Sequence, residues 1–363
     1  MSKIKALVLL SGGLDSMLAA RVLMEQGIEV TGLSFKSCFF GTAKGKKVAG
    51  QLGIELIEID FSEEHLAMVK NPKHGYGKNI NPCIDCHALM LKKAGEIMIN
   101  KTLGVQGDTE CPYDFVATGE VLGERPMSQN KEALKIVEKE SGLAGKLIRP
   151  LSAKLLDESE PEKTGMVNRG RLLDISGRSR ARQLELVKKY NIKEYASPGG
   201  GCLLTDPRFS EKLLKMFELW PECQGNDIEL LKWGRINWLK ANADLCGLMR
   251  TNAEKMCNIL MIVGRDEKDN EKLEELAKSG DVLMRLADEN GPTSLLRIMS
   301  HELRIMDETR EIDVPVELKM SEFKLDEKKS AEEIINLGLI LTGYYATKAR
   351  GKKVKFNIIN SPC

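Results

Sequence analysis

The sequence predicts an α/β protein: a parallel sheet wrapped by helices, with a second, smaller α/β domain behind it. Three observations predict it. Short apolar runs at 4–10, 28–35 and 54–60 alternate with segments of helical period. A glycine pair follows the first run directly, where a strand must turn into a helix. The alternation lapses after about residue 155 and starts afresh at Asn258. Strand and helix alternating at this pace build a parallel sheet through right-handed crossovers.

The first run, 4–10, is nearly unbroken in its hydrophobicity, as a strand buried on both faces requires. Beyond Ser11-Gly12-Gly13, the residues Leu14, Met17, Leu18 and Val22 recur at helical spacing, and Gly27 closes that helix. Strands follow at 28–35 and 54–60 with a helix at 44–52 between them. A helix near 88–99 and strands at 115–117 and 147–151 complete a first domain, 1–155. Residues 156–255 form a connecting region, rich in charge and glycine, with a helix near 178–190 and a loop at 197–201. Its part from 210 reads as helical and carries Trp220, Trp233 and Trp238. The last domain, 256–363, predicts strands at 259–263, 282–286, 314–318 and 354–358 and helices at 270–278, 293–305 and 329–349.

A hydrophobic fraction of 42% excludes a disordered chain. With 54 Lys and Arg against 53 Asp and Glu, any nucleic-acid contact must come from a local basic patch. No apolar run approaches the ~18 residues of a membrane span, and the first apolar stretch meets glycine too soon for a signal peptide. A cytoplasmic protein with no membrane contact is expected. The nine cysteines are then read as packing, metal-binding or sulfur-handling residues rather than as disulfides.

Two segments carry chemistry. In SGGLDS, residues 11–16, two glycines turn the backbone so that N–H groups at a helix start face an anion, with the Ser11 and Ser16 hydroxyls adding donors. Asp15 is placed to orient a Mg²⁺ on a polyphosphate. The lack of GK[ST] excludes a Walker A loop. The plainer alternative is a turn that only closes the sheet. In NPCIDCH, residues 81–87, Cys83 and Cys86 stand at a predicted helix start, where the dipole favours thiolate. Core cysteines are the alternative there, and no second CxxC exists for a Cys₄ zinc ribbon. Cys202 follows three glycines.

SGGLDS resembles the SGGxDS loop of the ATP pyrophosphatases, which have a Rossmann-like parallel sheet of the PP-loop (HUP) type. These enzymes cleave ATP between its α and β phosphates and adenylate an acceptor. The run FVATGEVLGERPMSQ, 115–129, with LIRPL at 147–151, resembles the ATP domain of tRNA 4-thiouridine synthetases, as does CIDCHALM, 83–90. The resemblance covers about residues 4–155. It implies that Ser11, Gly12, Gly13, Asp15 and Ser16 hold pyrophosphate, and that Gly119, Gln129 and Phe35 line the nucleotide site. Some tRNA thiolases hold a [4Fe–4S] cluster on three cysteines, and Cys83, Cys86 and Cys202 match that set. Cysteine persulfide chemistry on the same residues is the alternative. This chain departs from the family in having Glu124 where LGQ has Gln, and only ten residues before the loop, where family members carry a THUMP region.

Residues 259–265, Asn270, 281–285, Gly291-Pro292 and 343–350 resemble the NFACT-R domain, a proposed RNA-binding module. Lys348, Arg350, Lys352 and Lys353 form a basic cluster beside two tyrosines, and Arg178, Arg180 and Arg182 a second one. Both suit phosphate contacts, or equally a solvated, salt-bridged surface. The resemblances together imply an ATP- and Mg²⁺-dependent tRNA sulfurtransferase. Cys83, Cys86, Cys202 and Asp15 would be its catalytic residues, tRNA its substrate, and a cysteine desulfurase or free sulfide its sulfur donor. The expected product is 4-thiouridine. The alternatives are 2-thiouridine, since NPCxxC also resembles the 2-thiouridylases, a small-molecule synthetase with Cys83 and Cys86 on zinc, and an RNA-binding protein with a vestigial loop.

Overall fold

The computed structural model describes residues 3–99, 112–195, 202–241, 257–298, 307–319 and 328–361. The chain divides into two units, Met1–Ser210 and Glu211–Cys363. In chain order the first holds β1 (Lys5–Leu9), α1 (Leu14–Met24), β2 (Glu29–Lys36), α2 (Ala43–Leu52), β3 (Leu56–Asp60), α3 (Ser62–Lys70), α4 (Cys83–Met98), β4 (Phe115–Ala117), α5 (Lys131–Glu140), β5 (Leu147–Ile148), α6 (Glu160–Lys163) and α7 (Ala181–Lys189). Helix α8 (Pro207–Leu219) crosses the division, and α9 (Gly225–Leu230) follows it.

The first sheet is parallel throughout, in the order β3-β2-β1-β4-β5. Ala6 of the central strand lies opposite Val30 on one side and Phe115 on the other. Ala6 and Val8 pack on one face with Leu14, Leu18 and Val22 of α1 and Val48 of α2. Leu7 packs on the other face with Leu91 and Ala94 of α4 and Val137 of α5. Burial on both faces is why the strand reads as a continuous apolar run, and each such side chain contributes roughly 1.5–3 kcal/mol. The edge strand β3 instead alternates, with Glu58 and Asp60 exposed. The Asn130 side chain caps α5 by accepting from the Ala133 N–H at 2.8 Å, and Gly53, at φ 66°, ends α2 in the left-handed conformation.

The second unit contains β6 (Arg235–Ala241), β7 (Cys257–Val263), α10 (Glu267–Leu276), β8 (Val282–Leu286), β9 (Ser294–Ile298), β10 (Glu308–Asp313), β11 (Lys328–Lys329), α11 (Ala331–Tyr345) and β12 (Lys353–Asn360). Its seven-stranded sheet has the order β10-β12-β8-β9-β7-β6-β11, antiparallel except where β11 joins β6. Helix α11 buries Ile334, Leu337 and Leu341 with Met261, Met284 and Phe356 of the sheet. On β9, Arg297 is fully buried and held by Asp281, by Asp227 at 2.8 Å and by the Leu276 carbonyl at 2.8 Å.

Three expectations are corrected here. Residues 235–241, read as helical, form β6, with Trp238 opposite Leu260. The helix expected at 293–305 is strand β9 as far as Ile298, paired on both sides; a short apolar run buried on both faces has no period that separates strand from helix. The strand expected at 314–318 lies earlier, at Glu308–Asp313, where its polar edge sequence gave no apolar signal. The 197–201 loop, the end of the expected 293–305 helix and residues 242–255 lie outside the described residues.

Candidate functional site: an anion loop and a buried cysteine group

Strand β1 runs into the loop and the loop into α1. Gly12 has φ +81°, and a Cβ there would lie 2.3 Å from Lys44 Cβ, so only glycine fits. Gly13 caps α1; its N–H donates to Ser11 Oγ at 3.3 Å, and its carbonyl accepts from Ser16 Oγ at 2.8 Å. Gly119, just after β4, presses on the first turn of α1: a Cβ there would be 2.4 Å from Ser16 N. The result is a helix N-terminus lined with hydroxyls and closely approached by glycine backbone, the geometry that binds a polyphosphate.

Helix α7 supplies what faces the loop. Arg180 Nη2 donates to Asp15 Oδ2 at 3.3 Å and to Glu124 Oε1 at 3.4 Å, and Gln183 Nε2 donates to Asp15 Oδ1 at 3.3 Å. Arg180 Nη1 and Gln183 Oε1 are buried without a hydrogen-bond partner. Burial, then the neighbouring Asp15 charge, pushes the Glu124 carboxyl up against the pull of Arg180. Two carboxylates and two hydroxyls around one anion loop are hard oxygen donors that fit Mg²⁺. Of the arginines expected at an RNA surface, Arg180 thus turns to the loop, Arg182 pairs with Asp174 at 3.2 Å, and Arg178 is exposed.

Gln129 closes the 123–129 turn, its Oε1 accepting from the Arg125 N–H at 3.1 Å. Phe35 lies in the core against Phe61, with ring centroids 5.0 Å apart, and is 6% exposed.

Helix α4 begins at Cys83 itself, with Cys86 one turn on. Cys202 stands beside both: its charge and that of Cys83 act on Cys86. The 202–205 turn is anchored there, since Asn79 Nδ2 donates to the Thr205 carbonyl at 2.8 Å and Phe209 packs edge-on against Phe39. All three are free thiols. The helix start does not dominate their acidity. Burial pushes the Cys83 thiol up against Arg125, Ser128 and Asn81, and pushes Cys202 up to about 11. Cys86 is driven well up by burial, then by Cys202, Cys83 and Asp85. Three soft donors from two segments fit a thiolate-ligated iron–sulfur group, and equally a sulfur relay.

Sequence reasoning missed the groups behind these cysteines. His65 on α3 puts Nε2 at 3.2 Å from Cys86 Sγ. Glu120, Arg149 and His87 form a network under α4, with His87 Nδ1 2.9 Å from Glu120 Oε1. Glu120 and Arg149 lay within the quoted motifs; for His65, in a helix of surface-like composition, no sequence signal existed.

In the second unit Lys348, Arg350, Lys352 and Lys353 are exposed at the end of α11 and the start of β12. Arg350 stacks over the Tyr344 ring at 4.2 Å, and Lys353 pairs with Glu311 at 3.2 Å.

No helix among the described residues is long and apolar enough to cross a membrane. Residues 4–139 match the family profile described as the tRNA methyl transferase HUP domain. The tRNA-specific 2-thiouridylase MnmA of Acetivibrio thermocellus is 31% identical over 138 residues, 33% of this chain and 36% of the relative. That of Sulfurimonas denitrificans is 36% identical over 131 residues, 34% and 36% of the two chains. The chain thus spans little more than a third of the length of these relatives. A crystal structure of a 4-thiouridine synthetase–RNA complex with bound ATP is 21% identical with a TM-score of 0.35, over 63% of this chain and 52% of that one. The first unit is therefore a parallel α/β domain whose residues 4–139 match the HUP-domain profile, and part of the chain is similar to tRNA-specific 2-thiouridylases.

Proposed function

We propose that the protein is an ATP-dependent tRNA thiolase. The observation that carries this is the convergence of Cys83, Cys86 and Cys202 within the unit that also bears the anion loop. In the first half-reaction a uridine carbonyl oxygen attacks the α-phosphorus of ATP and pyrophosphate leaves. The Gly12–Gly13 turn, the Ser11 and Ser16 hydroxyls and Arg180 hold the departing charge. Mg²⁺ held by Asp15 and Glu124 would neutralise part of that charge. Adenylation is needed because a carbonyl oxygen is a poor leaving group.

In the second half-reaction the terminal sulfur of a persulfide on one cysteine bonds to the activated carbon and AMP leaves. A second cysteine thiolate then attacks the protein-bound sulfur, releasing the thiocarbonyl and forming a disulfide that an external dithiol reduces. If the three thiols instead hold a [4Fe–4S] cluster, that group would supply an iron with an open position for sulfide. The relatives' activity favours the C2 carbonyl and 2-thiouridine; the TGEVLGE run, 118–124, favours 4-thiouridine as the second reading. We assign RNA docking to residues 256–363, the part whose sequence resembles the NFACT-R domain, through Lys348, Arg350, Lys352 and Lys353, with Arg178 and Arg182 as further phosphate contacts.

The test is anaerobic reconstitution with tRNA, MgATP, a dithiol and either a cysteine desulfurase with cysteine, which loads a persulfide, or sulfide, which can feed only a cluster, with nucleosides resolved by mass spectrometry and iron, zinc and labile sulfide counted. Thiouridine formed by the wild type and lost in Cys83→Ala, Cys86→Ala and Cys202→Ala is the expected result. No thiouridine, with ATP consumed on a small-molecule acceptor, sinks the reading.

A further inference from the structure

The His65 ring is fully buried in an aromatic box. Phe61 stacks on it at 4.8 Å and 18°, while Phe39 and Phe40 meet it edge-on at 5.5 and 5.3 Å. Its Nε2 faces Cys86 Sγ at 3.2 Å, and its Nδ1 is buried with no hydrogen-bond partner. Enclosed by three aromatic rings, with no carboxylate against it among the described residues and no acceptor for Nδ1, the ring is neutral and a single nitrogen carries the proton. On Nδ1 that proton would be a buried N–H with no acceptor, the rarer kind of orphan. On Nε2 it points at sulfur, and only a bare lone pair is left unpaired.

We propose that His65 is a positioning residue for Cys86, fixed as the Nε2–H tautomer and donating to its sulfur. The role rests on the thiolation proposed above. A sulfur that attacks or carries sulfur bears negative charge during transfer, and at Cys86 burial first, then the charge that Cys202, Cys83 or Asp85 would carry, opposes it. A neutral donor stabilises the anion without placing a cation beside it, one that would compete for phosphate or hold the sulfur back. The aromatic box makes the donor directional, because turning the ring would drive it into Phe61, Phe39 or Phe40.

The test labels the full chain with ¹⁵N-histidine. It has four histidines, and the signal lost in His65→Gln identifies His65. The expected spectrum shows Nε2 protonated and Nδ1 bare, with Cys86→Ala shifting that Nε2 signal. A proton on Nδ1, or an Nε2 signal indifferent to Cys86→Ala, overturns the assignment. In single-turnover thiolation His65→Leu should fall roughly 10- to 100-fold, as expected for one hydrogen bond to an anion. His65→Gln, whose amide N–H takes the place of Nε2–H, should stay within about threefold of wild type, with ATP–pyrophosphate exchange unchanged in both variants. Equal losses in the two variants at unchanged Tm also overturn it. If the spectrum is as expected but no tRNA uridine is thiolated, the proposed function falls and the His65 tautomer stands.

Discussion

Glu120 and Arg149 meet inside the first unit, Nε to Oε2 at 2.9 Å, with the guanidinium reaching on to Glu138 Oε2 at 2.9 Å and the Leu134 carbonyl at 3.1 Å. Burial alone would push the Glu120 carboxyl up; Arg149, then His87, outweigh it and hold the group well below the usual carboxylate range. A carboxyl depressed in the folded state adds stability above its unfolded pKa of about 4.3 and loses it as pH falls from roughly 5 downward. Glu120→Gln should cost about 1–3 kcal/mol at pH 7, because Arg149 loses the charge of one carboxylate and keeps Glu138 and the Leu134 carbonyl. Urea midpoints at pH 7 and pH 4 should then lie closer together in the variant than in wild type. Parallel losses in the two proteins would show that Glu120 does not govern the acid limb.

The loop glycines separate two kinds of strain. Gly12→Ala combines a left-handed φ, which costs about 1–2 kcal/mol, with a clash against Lys44. Gly119→Ala drives a methyl into the Ser16 backbone. Both should weaken ATP binding at least tenfold by calorimetry. Gly27, at φ +82° with nothing within 4 Å of its Cβ position, is the control: Gly27→Ala should lower Tm and leave ATP affinity unchanged.

Removing Arg180 leaves Asp15 and Glu124 facing each other without the cation between them. Arg180→Ala should reduce tRNA-dependent ATP–pyrophosphate exchange roughly 10- to 100-fold in kcat/KM, as for loss of one group that stabilises transferred charge. Glu124→Gln should keep the fold and raise the Mg²⁺ concentration needed for half-maximal exchange. An unaltered Mg²⁺ requirement would remove Glu124 from the cation site.

In the second unit Arg297→Met leaves Asp281 buried without its cation and Asp227 with Lys278 alone, 3.0 Å away. The loss of about 3–5 kcal/mol should lower the melting transition of that unit by roughly 6–20 °C. ATP binding, measured below that transition, should be unchanged. A drop of only a degree or two would show that water or rearrangement satisfies the two carboxylates.

Much of the first unit was legible because each of its signals is local. The run 4–10 carries its own burial in its composition, and the glycines at 12 and 13 state a turn that their φ values require. Cys83 and Cys86 are legible for the same reason, as one turn of one helix. Cys202 was legible as a cysteine after glycines, but its place beside the pair depends on the Asn79–Thr205 anchor, which no spacing encodes. His65 and Arg180 were misjudged or missed because each acts across elements: α3 onto α4 and α7 onto α1. In the second unit β9 was read as a helix because Leu295, Leu296, Arg297 and Ile298 are all buried, so the strand carries no alternation of exposed and buried residues. Strand β10 was placed late because Glu308 and Glu311 mark a polar edge that resembles a loop.

Edge strand β3 has a consequence for how the chain survives its own folding. Parallel sheets pair residues far apart in sequence, so they assemble slowly and leave unpaired strand edges open to other molecules meanwhile. At this edge Glu58 is paired with Lys46 at 2.9 Å and Asp60 with Lys36 at 3.1 Å, so an incoming strand meets fixed charge along the ladder it would extend. Neutralising that fringe with Glu58→Gln and Asp60→Asn would take the fixed charge off a strand edge open to intermolecular pairing. The yield of soluble protein on refolding should fall with chain concentration, while the folded monomer stays as stable as before.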